Sequence, residues 1–593
     1  MTTNDKLKAV RAEMMKQGVD AIIVPTGDPH QNEYLPEFYK SRAWVSGFSG
    51  SAGTVVITMD HAGLWTDSRY FLQAEMQLAD SEFVLHKLIV QGAPEFAEWL
   101  QKNLGHGKTI GFDSRVMALG TASNLIERFE KAGFNVNTEA DPIGNAWTNR
   151  PAISAAMVFE HDQSYAGLSR MQKISMIRKE MLGYGADYFL VTALDDIGWL
   201  LNLRGRDIEC NPVFISYVLI SPEKVYLFVD PNKISPELEA TLLADNIKIK
   251  DYGSIDHYLA EIQSSSSILI SPNSISFNLF QKINTHNIIQ KDSPVMIAKS
   301  IKNEIEQGHI RRSMVKDGIA LTHFFMWLEK ELAAGNDHTE YDLAQQLIHF
   351  RSQQEGYYGE SFDAIIGYNG NGAIIHYKPE KETAAVIKPN GVLLVDSGGQ
   401  YLDGTTDITR TIALSEPTAL IKDHYTRVLK GHIGIATAIF PKGTRGIQLD
   451  ILARQFLWEK LITYNHGTGH GVGFFMNVHE PPQGITNALG ERGVTPIAVG
   501  TFTSNEPGFY LEGSHGIRIE NLVLCHPMPQ NNDFLYFETV TLFPIDKTMI
   551  DMSIMTPGEI NWLNNYHAKV YNEFIPFLDE ESKKWLQEKC SPL

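Results

Sequence analysis

The sequence predicts an α/β (α+β) chain of several domains, and three observations carry that reading. The first is length: at roughly 100–200 residues per domain, 593 residues make several domains. The second is a short internal echo. GVDAIIV (18–24) with a later WVSGF (44–48) returns as GADYFLV (185–191) with a later WLLNLRG (199–205). Each copy reads as a helix, a Gly-x-Asp turn, a strand and a tryptophan-bearing segment, so two related α/β units stand in tandem. The third is a change of pattern near residue 304, where a long helical stretch leads into a strand-rich region holding paired acids.

The bulk numbers exclude several classes. Hydrophobic residues make up 43% and charged residues 20%, which suits a globular chain with a sizeable core. The net charge of −19 repels phosphate backbones and anionic bilayers, so neither nucleic acid nor membrane is an expected partner. The start, MTTNDKLKAVRAEMM, has no apolar leader, and no run approaches the roughly 20 apolar residues of a bilayer span. The 3 cysteines, Cys210, Cys525 and Cys590, lie far apart, which fits neither a disulfide framework nor a CxxC site and points to the cytoplasm.

In chain order, residues 5–17 read as an amphipathic helix with Leu7, Val10, Met14 and Met15 at helical spacing, and AIIV (21–24) as a buried strand. The Gly/Ser stretch in AWVSGFSGSAGTVVI (43–57) lacks the GxxxxGK[ST] pattern, so it reads as a tight turn before a second strand. Pattern alone makes Arg69, in LWTDSRYFLQAEM, a surface ion-pair residue. EADPIGNAWTNRPAIS (139–154) is rich in Pro, Gly and Asn and marks a domain boundary. VFISYVLI and KVYLFVD form a hairpin. Residues 301–335 are helical, and Thr339 with Asp342 caps a second helix. FDAIIGYN, AIIHYKP, GVLLVDSGG and TTDITRTIAL read as strands, followed by a helical pair at about 419–461. The tail carries two more helices, GEINWLNNYHAKVYNEFIPFL and EESKKWLQEK. The first of these packs either on its own domain or on a second subunit.

HGTGHGVGFFMNVHE (466–480) is the densest stretch. Glycine at this frequency weakens regular structure and admits close backbone approach to something bound. Four acids flank it in apolar or turn-bound settings, where an isolated charge is costly. Asp396 ends the apolar run GVLLV, and Asp407 stands beyond a turn-rich connection, so a hairpin sets the two side by side. Glu506 in SNEPG and Glu520 in GIRIEN flank a second hairpin. Two hairpins presenting two acids each call for a cation. With His470 the set is oxygen-rich and suits Mn²⁺, Co²⁺ or Mg²⁺ better than structural zinc, in a two-ion arrangement.

The segments VDSGGQYLDGTTDITRT, HGTGHGVG, SNEPG and GIRIEN resemble the metal-site motifs of the M24 "pita-bread" metallopeptidases. SRAWVSGFSGSAGT, WTDSRYFLQAE, LDDIGWLLNLRG, NPVFISY and WLNNYH extend the resemblance to the three-domain Xaa-Pro aminopeptidases, over nearly the whole chain. The resemblance implies two creatinase-like N-terminal α/β domains (1–150 and 151–303), a pita-bread catalytic domain (304–545) and a helical extension (546–593). It implies Asp396, Asp407, His470, Glu506 and Glu520 as ligands of two divalent ions per subunit, Mn²⁺ first and Co²⁺ or Zn²⁺ as alternatives, with Asp407 and Glu520 shared. His376, His466, His479 and Glu506 would be catalytic. Arg69, His376, His479 and Arg518 would bind substrate, a peptide with proline in second place. The activity so implied is release of the residue before that proline by a hydroxide held between the ions, in a cytoplasmic homodimer. Two alternatives stand beside it, a prolidase-type dipeptidase and a non-catalytic peptide-binding module on the same fold. One departure is visible: Pro481-Pro482 follows His479-Glu480 where the family has Gly-Pro, which bears on the path of the chain there.

Overall fold

A computed structural model describes residues 1–89 and 93–593. The chain forms two compact units, Met1–His161 with Leu168–Val295, and Asp162–Gly167 with Met296–Leu593. Among the described residues no helix is long and apolar enough to cross a membrane.

The first unit holds two six-stranded sheets of the same design. In the first sheet Ala21–Pro25 runs antiparallel to Thr54–Thr58 and parallel to Thr109–Phe112. Ala62–Thr66 and then Val84–Lys87 extend one side, and Asn135–Asn137 closes the other. In the second sheet Tyr188–Val191 takes the place of Ala21–Pro25, antiparallel to Tyr217–Ile220 and parallel to Ser267–Ile270. Val225–Phe228, Ile247–Lys250 and Asn287–Gln290 complete it with the same directions. The sequence echo is therefore a structural repeat, and VFISYVLI with KVYLFVD is the expected hairpin. The helix Thr3–Lys16 starts in a capping box between Thr2 and Asp5 and buries Leu7, Val10 and Met14. Met15, expected on that apolar face, points to solvent, because 3.6 residues per turn carry it past the stripe.

The second unit's longest helix, Glu304–Ala334, is capped by Asn303 with Glu306 and ended by Gly335 in the left-handed region. Thr339 and Asp342 form the expected box for Glu340–Ser352. Two sheets then matter. In one, Val392–Ser397 is central between Ile365–Tyr368 and Ile408–Ala413. In the other the order is Ile439–Pro441, Asn531–Thr539, Asn521–Met528, Phe502–Asn505, Gly469–Gly471, Glu480–Ile485. A separate hairpin pairs Gly508–Leu511 with His515–Arg518. The tail helix Pro557–Phe574 packs on its own domain: Leu563, Tyr566, Val570 and Phe574 join Tyr425, Val428 and Leu429 of the helix Ala419–Ala436 in one core. Each large apolar side chain buried there contributes about 1.5–3 kcal/mol.

Three local expectations change. AIIHYKP is not a strand. A 3₁₀ turn, Asn369–Ala373, precedes it and residues 374–376 turn, so His376 sits in a loop rather than at a strand end. The glycines of NGNG allow this, because Gly372 lies against Gly516 so closely that a Cβ on Gly516 would stand 1.7 Å from the Gly372 carbonyl oxygen. The connection between Asp396 and Asp407 is not only a turn: it holds the short strands Gly399–Tyr401 and Gly404–Thr405, paired with each other. The glycines of 466–480 admit neighbouring backbone rather than a ligand. A Cβ on Gly469 would meet the Ser504 oxygen at 2.0 Å, and one on Gly471 the Glu480 oxygen at 2.2 Å. Beyond His479 the chain enters a strand, Glu480–Ile485, in which the Pro481-Pro482 bond is cis.

Gly516→Ala tests how tightly the Glu506–Glu520 hairpin is seated. It is expected to cost about 1–3 kcal/mol, as overpacking does, and to weaken retention of divalent metal. Denaturant unfolding and metal analysis read both, and unchanged values on both would contradict this packing.

Candidate metal centre

The strands bring the five candidate ligands together. Asp396 lies on Val392–Ser397, every residue of which is buried. Asp407 directly precedes Ile408–Ala413, and Asp396 pairs with Thr409 across the ladder. Glu506 follows Phe502–Asn505, and Glu520 stands between His515–Arg518 and Asn521–Met528. His470 is the middle residue of Gly469–Gly471, next to Phe502–Asn505. Ligand atoms of Asp407, His470 and Glu520 all lie within 4.8 Å of one another. His470 Nε2 is 3.5 Å from both Asp407 Oδ2 and Glu506 Oε1. Its Nδ1 faces the Gly471 carbonyl oxygen at 3.0 Å, which places the proton on Nδ1 and leaves the Nε2 lone pair toward the carboxylates.

Burial, reinforced by Asp396 and Glu506, pushes the Asp407 carboxyl well above its ordinary range. Burial and then Asp407 do the same to Glu520. Burial also raises Glu506, with His470 and Arg518 opposing. Burial and the adjacent His479 push His470 down to about 4, so it is a neutral donor. Asp396 Oδ2 accepts from Arg518, yet Asp396 Oδ1 is buried without a hydrogen-bond partner. A buried carboxylate oxygen with no donor, among carboxylates that repel one another, is a set completed by cations. Oxygen donors with one imidazole fit hard or borderline divalent ions.

The other expected residues fall as follows. Arg518 is buried; its Nε donates to Asp396 and to Thr409 Oγ1, each at 3.2 Å, and its Nη1 donates to the Tyr510 hydroxyl at 2.6 Å. Tyr510 in turn meets His466 Nε2 at 2.8 Å, and His466 Nδ1 lies 4.0 Å from Glu506 Oε2. The His479 ring stands edge-on to His470 with centroids 4.4 Å apart. Arg518 Nη2 reaches the carbonyl of Ile375, the neighbour of His376, at 3.5 Å. Arg69 belongs to the first unit, where its guanidinium forks onto Asp67 with two contacts of 2.8 Å; Asp67 raises its pKa.

Sequence reading missed three supports. Thr409 Oγ1 donates to Glu520 Oε2 at 2.8 Å. Ser504 Oγ accepts from the His470 N–H at 2.9 Å and donates to Glu506 Oε1 at 3.2 Å. Tyr510 links Arg518 to His466. A signal exists for two of them: Thr409 is two residues after Asp407 and Ser504 two before Glu506, the same-face spacing of a strand.

Known proteins match this architecture throughout. Residues 6–140 and 149–306 each match the Creatinase/Prolidase N-terminal domain. Residues 308–527 match metallopeptidase family M24, and 533–593 match the C-terminal region of peptidase M24. The fold and the donor set thus have one explanation: this chain belongs to metallopeptidase family M24 and is a hydrolase. Within that family its relatives are Xaa-Pro aminopeptidases. A probable Xaa-Pro aminopeptidase P of Aspergillus niger is 42% identical, covering 100% of this chain and 99% of its own length. Aminopeptidase P2 of Arabidopsis thaliana is 38% identical, with 100% and 89% covered. The crystal structure of the X-prolyl aminopeptidase of Caenorhabditis elegans, described as a cytosolic enzyme with a di-nuclear active site, superposes with a TM-score of 0.96 at 35% identity, covering 100% of both chains.

Burial raises the carboxyls of Asp407, Glu506 and Glu520 above their ordinary range, so protons compete with divalent metal for them. Calorimetry in buffers of different ionisation enthalpy at neutral pH is expected to show proton release, and affinity is expected to rise with pH. Binding with no proton release would contradict this description of the site.

Proposed function

We propose that this chain removes the N-terminal residue from peptides that carry proline in second place. The observation that carries this is the convergence of Asp407, His470 and Glu520, with Asp396 and Glu506 around them, in a chain related over its whole length to Xaa-Pro aminopeptidases. An Xaa-Pro bond is a tertiary amide with no N–H on the proline side, so its cleavage calls for strong activation and a fitted ring pocket.

Asp396, Asp407, His470, Glu506 and Glu520 would hold two divalent ions, with Mn²⁺ the first choice over Co²⁺ or Zn²⁺. When bound, the ions acidify a water and polarise the scissile carbonyl. Glu506, whose carboxyl burial raises above its ordinary range, accepts the proton of the attacking water and delivers it to the departing proline nitrogen. His479 donates a hydrogen bond to the carbonyl oxygen as charge builds there. His376 positions the residue after the scissile bond, and His466, braced by Tyr510, shapes the proline pocket. Arg518 holds Asp396 in place through its buried guanidinium. A substrate role for Arg69 rests on the family resemblance of its segment alone. The chain acts in the cytoplasm as a homodimer; the cytosolic C. elegans relative supports the compartment.

A chelator-stripped sample given Mn²⁺, Co²⁺ or Zn²⁺ and a Xaa-Pro-Xaa tripeptide is expected to release only the first amino acid. Asp407→Ala is expected to lower the rate by more than about 100-fold, beyond the loss typical of an outer support. No cleavage with any metal by a folded sample would favour a binding module, and cleavage of Xaa-Pro dipeptides alone would favour a dipeptidase.

A further inference from the structure

We infer that Glu480 is a positioning residue for His479, held in place by a buried pair of lysines, Lys299 and Lys302. This rests on the proposed role of His479 at the scissile carbonyl. Glu480, Lys299 and Lys302 are each about 1% exposed, so this is an ion cluster removed from water. Lys302 Nζ donates to Glu480 Oε1, and Lys299 Nζ stands 3.4 Å from Glu480 Oε2. Lys302 Nζ also donates to the Lys299 carbonyl oxygen at 3.0 Å, so the two cationic residues are fixed to each other. A carboxylate buried with two ammonium groups is oriented far more strictly than one in water, since each lost contact would strand a charge.

The backbone of Glu480 is held as firmly as its side chain. Glu480 pairs with Gly471, the residue after His470, and its carbonyl oxygen lies where a Cβ on Gly471 would be. The Glu480 carboxylate is drawn to the lysines at the first residue of the strand, and the His479 ring, in the bend directly before it, stands edge-on to His470. The lysine side of the clamp is anchored too. The Lys302 N–H donates to the Gly500 carbonyl oxygen at 2.8 Å, and Ile301 bridges Thr501. That segment leads directly into Phe502–Asn505 and Glu506. One buried cluster therefore ties the chain directly after His479 and the chain before Glu506 to the same pair of lysines. The bulge that follows, in which His470 pairs with Gly484 while Gly471 pairs with Glu480, sets residues 481–483 outside the ladder. The clamp thus acts at the last residue in regular register next to His479.

The test uses the two-ion enzyme and a Xaa-Pro-Xaa tripeptide. Glu480→Gln keeps the shape and removes the charge. It is expected to lower kcat by about 10–100-fold, the range of outer supports, with KM and metal content near wild type. In a His479→Ala background the same change is expected to add almost nothing, since the residue it orients is gone. A merely structural role would give multiplicative losses in that cycle, and a kcat equal to wild type would overturn the inference outright. If Glu480→Gln fails to fold, Lys302→Gln and Lys302→Arg decide: the first is expected to lose kcat and the second to restore it, whereas wild-type kcat for Lys302→Gln would count against the clamp. Wild-type enzyme that cleaves the peptide while His479→Ala cleaves it equally well would overturn the His479 role and this inference with it. Absence of cleavage by wild type would instead point to failure of the wider functional reading, and the clamp would fall with that.

Discussion

Mutual repulsion among buried carboxylates is the constraint on which the catalytic unit is built. Asp396, Asp407 and Glu520 are each less than about a tenth exposed, and Glu506 lies against them. Taking each charge out of water costs several kcal/mol, and carboxylates this close add to that cost. The Arg518 guanidinium supplies a full counter-charge in direct contact with Asp396. Thr409 and Ser504 contribute neutral hydrogen bonds to Glu520 and Glu506. The remainder is left for cations. On the proposed reading the metal centre is that deficit, set in a frame of paired strands.

The frame has visible sources. Asp396 sits on the central strand of its sheet and His470 on an interior strand of the other, so neither can shift without breaking ladders on both sides. Glu506 and Glu520 bracket one hairpin whose strand His515–Arg518 lies tightly against the 3₁₀ turn Asn369–Ala373. The helix Ala419–Ala436 and the tail helix Pro557–Phe574 share a core with Ile517 and Ile519 of that hairpin. The same tight backbone packing explains the glycine density of HGTGHGVG, where Gly469 and Gly471 accept the carbonyls of flanking strands.

Much of this was legible in the sequence, for identifiable reasons. Asp396 announced itself by ending the apolar run GVLLV, and the short turn-rich connection fixed Asp407 as its neighbour. The repeat of Gly-x-Asp followed by a strand marked two related α/β units; that their sheets share strand order and direction is visible only in the structure. AIIHYKP misled because its composition suits a strand, while the preceding NGNG and the close approach of Gly516 force a turn. The network beyond the ligands was illegible for another reason. Arg518 read as a substrate group, and only folding shows its guanidinium committed to Asp396, Thr409 and Tyr510. The Lys302–Glu480 contact spans 178 residues of sequence, a separation over which no local pattern speaks.

The most direct test of the central claim is a crystal structure of the Mn²⁺-loaded protein with anomalous scattering recorded at the manganese edge. This account predicts two anomalous peaks per chain, both among Asp396, Asp407, His470, Glu506 and Glu520, with Asp396 Oδ1 now liganded. A single peak, or peaks away from these five side chains, would contradict it.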